Sequence, residues 1–404
     1  MRFILALCAL HCLAFIDRTL IGGMLPSLRA SITMSDAQAG WIIGAAFALP
    51  YGATALAVAA LLRGHRASPA SLGAGVLVWT AGSVATGLAG SLSELTVARI
   101  ALGVGQGIFV PIAIATLFDS ANPAGRSRAL GLFIGSATAG RSVALLTAGL
   151  GLWLIALFAH DSGLDPWRWL FIATALPNIL VLIALGFSRG PISPSAGENP
   201  RVGVDWLAVL PFFLVAIGPV LLAQSVLSWL PTLFVRERGL LPTDAALFLG
   251  AVTLIAAPTG PFLAGWLAAR YRSCEDHVPT LVLVALTATL VPLAGMVWAP
   301  DLATATICLA VMLVTLGMAT FGGLFGVQLV TPPGARINVN GVYLAFITAV
   351  GLGLGPVVTG ALITTAEDDM SLGHSFLITA VIAIAICALA VAATRRSGWR
   401  RSPS

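Results

Sequence analysis

Asp17 and Arg18 stand side by side inside an apolar run that extends from about Phe3 to Pro26. In hydrocarbon each ionised side chain costs roughly 2.5 to 3.5 kcal/mol on insertion scales, so an intramembrane acid and base are functional candidates first. Arg99, Gln106 and Arg141 are embedded in comparable runs. Planar guanidinium forks suit carboxylate and phosphate. A carboxylate beside arginines can couple a proton to an anion, because a nearby charge or a change of burial alters its hold on that proton. The chemistry these residues point to is therefore anion binding by Arg18, Arg99, Gln106 and Arg141, with Asp17 as the proton-coupling group. Gln224 is the corresponding polar candidate in the second half of the chain.

Depth along the helices groups these residues. At 1.5 Å per residue, Asp17 and Arg18 lie about 22 Å, and Arg141 about 24 Å, from the starts of their runs. Arg99 enters its own run from the opposite side by about one turn, and Gln106 follows two turns deeper. One acid and three arginines at a shared level form one candidate cluster, with a surplus of about two positive charges that calls for a water-filled cavity or an anionic substrate. In the alternative, structural reading, Asp17 pairs with Arg99 or Arg141 and the other arginines snorkel outward. His11 is a weaker proton candidate, more simply a packed core residue. Cys8, His11 and Cys12 lack a fourth ligand nearby, so no metal site is expected. No Ser-His-Asp or metalloprotease spacing is present, so an enzyme is not expected, and no cofactor is called for beyond a coupling proton.

The elements that must hold this cluster follow from composition. Of the 404 residues 58% are hydrophobic and 9% charged, too few charges to cover a soluble globule, so lipid is the solvent. Apolar runs long enough to cross roughly 30 Å of hydrocarbon are read at 3–26, 36–62, 68–92, 94–119, 125–158, 167–188, 206–235, 243–270, 278–299, 302–330, 339–366 and 371–394. The fold class expected is an all-α membrane protein with twelve transmembrane helices in two pseudo-symmetric six-helix bundles, at 1–188 and 206–394. A polar, Pro-containing linker at 189–205 joins them and a tail at 395–404 follows.

Weak repetition supports the halves. Ser35-Asp36-Ala37 and Thr243-Asp244-Ala245, each read as a helix N-cap, recur at an offset of 208, and Pro123, Arg126 and Gly131 recur as Pro333, Arg336 and Gly341 at an offset of 210. The sequence has 21 arginines and no lysine, and 14 arginines fall on the side of the termini, which makes both termini cytoplasmic. The first run is too long for a signal-peptide core and reads as a mature helix. Five cysteines give no disulfide framework. Trp167, Trp169, Trp229 and Trp298 at one end of the runs, with Trp206, Trp266 and Trp399 at the other, read as interfacial anchors, while Trp79 lies mid-run and reads as packing. The tracts Gly103-Val-Gly105-Gln-Gly107 and Gly351 to Gly355 lack the strand and acidic partner of a nucleotide site and read as surfaces for close helix approach.

Taken in order, Phe15-Ile16-Asp17-Arg18, Leu25-Pro26, Met34-Ser35-Asp36-Ala37-Gln38, Ala98-Arg99 with Gly103 and Gly105, Trp167-Arg168-Trp169, Ser228-Trp229-Leu230-Pro231 and Gly351 through Pro356 resemble the major facilitator superfamily, in its spinster-like branch. The resemblance implies two bundles that alternate access to a cavity lined by spans 1, 4, 7 and 10. It also implies movement of lysolipids, sphingoid phosphates or other organic solutes. The family's acid seven residues beyond the Arg99 position is Gln106 here. Arg63 and Arg66 match its gating arginines and Arg270 their pseudo-equivalent, while the carboxylates expected beside them are Leu62 and Ala269.

The function expected is secondary transport of an anionic amphiphile or another organic anion, with proton coupling through Asp17. A non-transporting binding or sensor protein of the same fold is the alternative. The partners expected are the lipid bilayer and a small-molecule or lipid substrate, without nucleic acid, for a monomer in the cell (inner) membrane.

Overall fold

The computed structural model describes residues 2–61, 69–120, 126–158, 163–187, 205–270, 277–331, 336–365 and 371–396. The expected gate residues Arg63 and Arg66, and nearly all of the expected linker and tail, lie outside these residues, as does the side chain of Arg270.

The helices run α1 (Arg2–Ser31), α2 (Asp36–Ile43), α3 (Ala45–Leu61), α4 (Pro69–Leu88), α5 (Leu92–Ser120), α6 (Arg126–Phe158), α7 (Pro166–Ala173), α8 (Ala175–Phe187), α9 (Trp206–Arg238), α10 (Pro242–Arg270), α11 (Val278–Ala288), α12 (Leu290–Val297) and α13 (Leu302–Val330). Then come α14 (Arg336–Ile347), a π-helical segment (Thr348–Leu354), α15 (Gly355–Thr365) and α16 (Leu372–Arg396). Among the described residues, twelve helical stretches are long and apolar enough to cross a membrane, matching the expected number. Four of them are interrupted: at Gly44, at Thr174, at Thr289 and through the π-helical segment.

By packing the chain divides into two units, one of Met1–Glu198 with Leu230–Ala251 and one of Asn199–Trp229 with Val252–Ser404. The first takes in the end of α9 and the start of α10, whereas the linker composition alone suggested a single cut.

In the first unit α1 does not end at Pro26 as expected but continues to Ser31. Proline inside a membrane helix is tolerated when neighbouring helices and local adjustment satisfy the freed backbone groups. Ser35 caps α2 in a full capping box: its hydroxyl accepts from the Gln38 amide, and the Gln38 side chain accepts from the Ser35 amide at 2.9 Å. The matching cap expected at Thr243 is not formed there, because α10 already begins at Pro242, a residue suited to the first helical position. Asp36 receives Arg29 and, at 2.6 Å, Nη2 of Arg236 from the end of α9.

Glycines set the closest helix contacts. A Cβ on Gly105 would lie 2.6 Å from the Gly75 carbonyl, and one on Gly107 2.7 Å from that of Tyr51, so α5 presses its glycine face on α4 and α3. The α6–α10 contact is reciprocal, with Gly149 against Leu247 and Gly250 against Leu146.

The second unit has a core of Val209, Phe212, Phe213 and Ala216 on α9, Val327 on α13, and Val339 and Tyr343 on α14. Here the Ser225 hydroxyl donates to the Gly355 carbonyl at 2.8 Å, and the Trp229 indole N–H donates to that of Pro356 at 3.1 Å, where the π-helical segment gives way to α15.

Trp229 is thus buried rather than an interfacial anchor, and so is Trp167, whose indole N–H donates to the Ser31 hydroxyl at 3.0 Å. Both indoles find polar partners inside the protein, which removes the reason to sit among headgroups. Trp169, Trp206, Trp266 and Trp298 are exposed as anchors should be.

Candidate functional site

The first unit brings Asp17, Arg18, Arg99, Gln106 and Arg141 to one region of α1, α5 and α6, but not into one ion-pair cluster. Among the described residues Arg29–Asp36, Arg168–Asp165 and Arg236–Asp36 form ion pairs, and Asp17 joins none of these three. The sequence expectation of a single charged cluster, and the alternative of an Asp17–arginine pair, are both replaced by two separate arrangements on α1. Neighbouring residues of an α-helix diverge by about 100° around its axis, so shared depth does not bring their side chains together.

Arg18 turns toward α3 and α5. Its Nε and Nη2 donate to Oε1 of Gln106 at 3.3 and 3.1 Å, and its Cζ lies 4.4, 4.6 and 4.8 Å from the ring centroids of Phe15, Phe47 and Tyr51. Aromatic faces attract a cation that has been taken out of water. Gln106 is fully buried and engaged at both ends, since its Nε2 donates to the Ala14 carbonyl at 2.8 Å. It clamps Arg18 to helix α1 without neutralising it. A carboxylate at the same place would cancel the charge.

Arg99, fully buried, is a cross-brace. Its Nε donates to the Ile42 carbonyl at 3.2 Å, just before the break at Gly44, and its Nη2 to the Arg18 carbonyl at 3.4 Å. Its Nη1 has no hydrogen-bond partner. Arg141 behaves differently: it is exposed, and its Cζ stands 4.9 Å from the Phe15 centroid, so two guanidinium groups share one ring. A bare guanidinium in hydrocarbon is costly, so an exposed arginine this far along a membrane-crossing helix faces water or an anion. Gln224, on α9 of the second unit, is half-buried beside Gly355.

Asp17 turns the other way, toward α4, α7 and α8. Its Oδ2 accepts from Nδ2 of Asn178 at 2.8 Å, and the Thr174, Ser83 and Trp79 side chains also face it. Asn178 and Ser83 were not singled out from sequence. A polar residue inside an apolar run is the signal that was there to be read. His11 is core: Nδ1 lies 2.8 Å from the Phe133 carbonyl and the ring stacks on Phe133 at 3.8 Å. Among the described residues no three His, Cys, Asp or Glu are placed to hold a metal.

Residues 7–331 match the family model of the Major Facilitator Superfamily, and the chain belongs to that family. It is a multi-pass membrane transport protein, not an enzyme. It is 24% identical over 380 residues to an MFS-type efflux pump of Mycolicibacterium smegmatis, covering 91% of this chain and 86% of that one. A probable sulfoacetate transporter, SauU, of Cupriavidus necator is 26% identical over 330 residues, 75% of this chain and 74% of the relative. In fold, a bacterial homologue of the human lysosomal transporter Spinster, solved inward-facing and occupied, superposes with a TM-score of 0.83 at 21% identity over 99% of this chain and 98% of that one. The fold expected from the spinster-like resemblance is the fold found.

Proposed function

We propose that this transporter moves an organic anion, such as a lysolipid, a sphingoid phosphate or a small sulfonate or carboxylate, and that Arg18 and Arg141 hold the anionic group. The observation that carries the reading is Arg141: an exposed guanidinium on a membrane-crossing helix, sharing the Phe15 ring with Arg18, whose side-chain hydrogen-bond partner, Gln106, is neutral. An anion docking there supplies the charge that the protein does not. The SauU relative is a probable transporter of sulfoacetate, an organic anion compatible with that chemistry.

Asp17 is proposed as the proton-coupling residue, and alternate exposure of the site to the two membrane faces as the cycle. Arg99 contributes to the site by bracing α1 against α2. Gln224 is a further substrate contact, and Arg63, Arg66 and Arg270 serve as gate residues. The arginine asymmetry supports an orientation with both termini cytoplasmic, and the protein is proposed to work as a monomer in the inner membrane.

The test is binding of lysophosphatidate, a sphingoid phosphate, sulfoacetate and an uncharged amphiphile to purified protein, followed by uptake into proteoliposomes. Arg141→Ala is expected to weaken anion binding by about 10- to 100-fold, the worth of one charge-assisted hydrogen bond, and to leave the uncharged ligand unaffected. Equal anion affinity in wild type and Arg141→Ala overturns the reading.

A further inference from the structure

Behind α1, on the side away from Arg18, four buried polar atoms of side chains gathered at the Asp17 carboxylate are without a hydrogen-bond partner: Oδ1 of Asp17, Oδ1 of Asn178, Oγ of Ser83 and Nε1 of Trp79. All four residues are at most 1% exposed. The Asn178 and Asp17 side chains are already bonded to each other through their other polar atoms, and Ser83 and Trp79 face the same carboxylate. Ser83 departs from its neighbours. The Thr80 and Thr86 hydroxyls on α4 donate back to the Val76 and Gly82 carbonyls at 2.7 and 2.8 Å, the usual way a hydroxyl is satisfied inside a membrane helix, and Ser83 does not.

Four unsatisfied atoms in one apolar setting are each costly, and together they have a simple solution. Two of them, Oδ1 of Asp17 and Oδ1 of Asn178, only accept while Asp17 is ionised. The Trp79 N–H only donates, and the Ser83 hydroxyl can donate. A water molecule has two hydrogens to give and two lone pairs to fill, and this set matches it bond for bond. A sodium ion matches less well: it would face the positive end of the Trp79 N–H, and Arg99 already lies within Coulombic reach of Asp17.

We infer that Asp17, Trp79, Ser83 and Asn178 form a binding site for one ordered water molecule between α1, α4 and α8, and that Ser83 and Asn178 are positioning residues for proton exchange at Asp17 through that water. Protonation of Asp17 is a relay in which the water gives one hydrogen to Oδ1 as it accepts a proton passed on from solvent water, so that the bound molecule stays water and no hydroxide is left, and deprotonation is the reverse step. The charged groups packed around the carboxylate are Arg99 on α5 and, next in the chain, Arg18; α4, α7 and α8 bring only the uncharged Trp79, Ser83, Thr174 and Asn178. Helix α1 thus carries the proton on one face and the anion on another. The proton step rests on the proposed role of Asp17; the water site stands without it.

The experiment is NMR of the full chain labelled with ¹⁵N-tryptophan in detergent micelles. Trp79→Phe identifies the Trp79 indole resonance; should that variant not fold, Trp→Phe substitution of the other tryptophans in turn identifies it by elimination. The expected result is a nuclear Overhauser cross-peak from the Trp79 indole proton to water, lost or shifted in Ser83→Ala. No water cross-peak, with a resonance unmoved in Ser83→Ala, overturns the site. A thermal stabilisation by NaCl over choline chloride that disappears in Asp17→Asn overturns it in favour of a cation. For the proton step, Ser83→Ala is expected to move the pH profile of uptake with anion affinity unchanged, and an unmoved profile removes that step. Arg141→Ala changes affinity and leaves the Trp79 resonance in place, so failure here and failure of the anion site are read separately.

Discussion

The Asp36 carboxylate is gripped by Arg236, 200 residues further along the chain: Nη2 donates to Oδ1 at 2.6 Å and Nη1 to Oδ2 at 3.3 Å. Arg29, from the end of α1, holds the same carboxylate and the Met34 carbonyl. One acid therefore ties the end of α9 to the turn between α1 and α2.

Because this network is partly open to solvent, its worth is modest. Asp36→Asn is expected to lower stability by about 1 kcal/mol. Adding Arg236→Gln to that variant should cost little more, since the partner is already gone. Thermal unfolding of the two single variants and the double variant in detergent measures the coupling, and strictly additive losses would count against it.

The glycine face of α5 makes an opposite pair of expectations. Gly105→Ala drives a methyl group against the Gly75 carbonyl and the backbone of Trp79, and is expected to cost about 1 to 3 kcal/mol. Gly135→Ala on α6 meets nothing within 4 Å and should be neutral or stabilising by up to about 1 kcal/mol, through helix propensity alone. Melting temperatures of the two variants decide it; equal losses would mean that close packing is not what Gly105 provides.

Gln106→Glu tests the charge balance of the site. The change keeps the length of the side chain and sets a carboxylate against Arg18, so an incoming anion meets a neutralised pair. Anion affinity is expected to fall by about tenfold or more, roughly 1.4 kcal/mol, with the fold intact by circular dichroism. Binding titrations with the anion used for Arg141→Ala give the number, and a rise in affinity would contradict the assignment of Arg18.

His11 separates a packed histidine from a proton carrier. His11→Asn loses the stacking on Phe133 and weakens the contact with its carbonyl, so stability should drop by about 1 to 3 kcal/mol. The pH profile of uptake should keep its shape. A profile that changes form would return His11 to the proton pathway.

The membrane fold was legible in the sequence because hydrocarbon thickness imposes a length and an apolar composition on every crossing, and both survive in a single chain. Arg18, Arg141 and Asp17 were legible for the same reason, as charges in a costly place. Their partners were less so. Depth can be counted along a helix, but the direction of a side chain around it depends on which neighbours pack where, and Asp17 and Arg18 part company on that point. The position of Trp167 and Trp229 near helix ends predicts anchors, because that rule ignores buried carbonyl and hydroxyl partners. Ser83 and Asn178 carried a weak signal, since uncharged polar residues occur in many membrane helices for packing alone.

The π-helical turns at Thr348–Leu354 have a consequence for how the chain tolerates insertion and deletion. A wider ring accommodates about one residue more than an α-helix over the same rise, so everything beyond it is phased by about 100° relative to α14. Gly355 and Pro356 meet Ser225 and Trp229 in that phase. Removing one residue from the segment would tighten it to ordinary helix and swing those two carbonyls off their donors, whereas the same deletion in a loop would pass unnoticed.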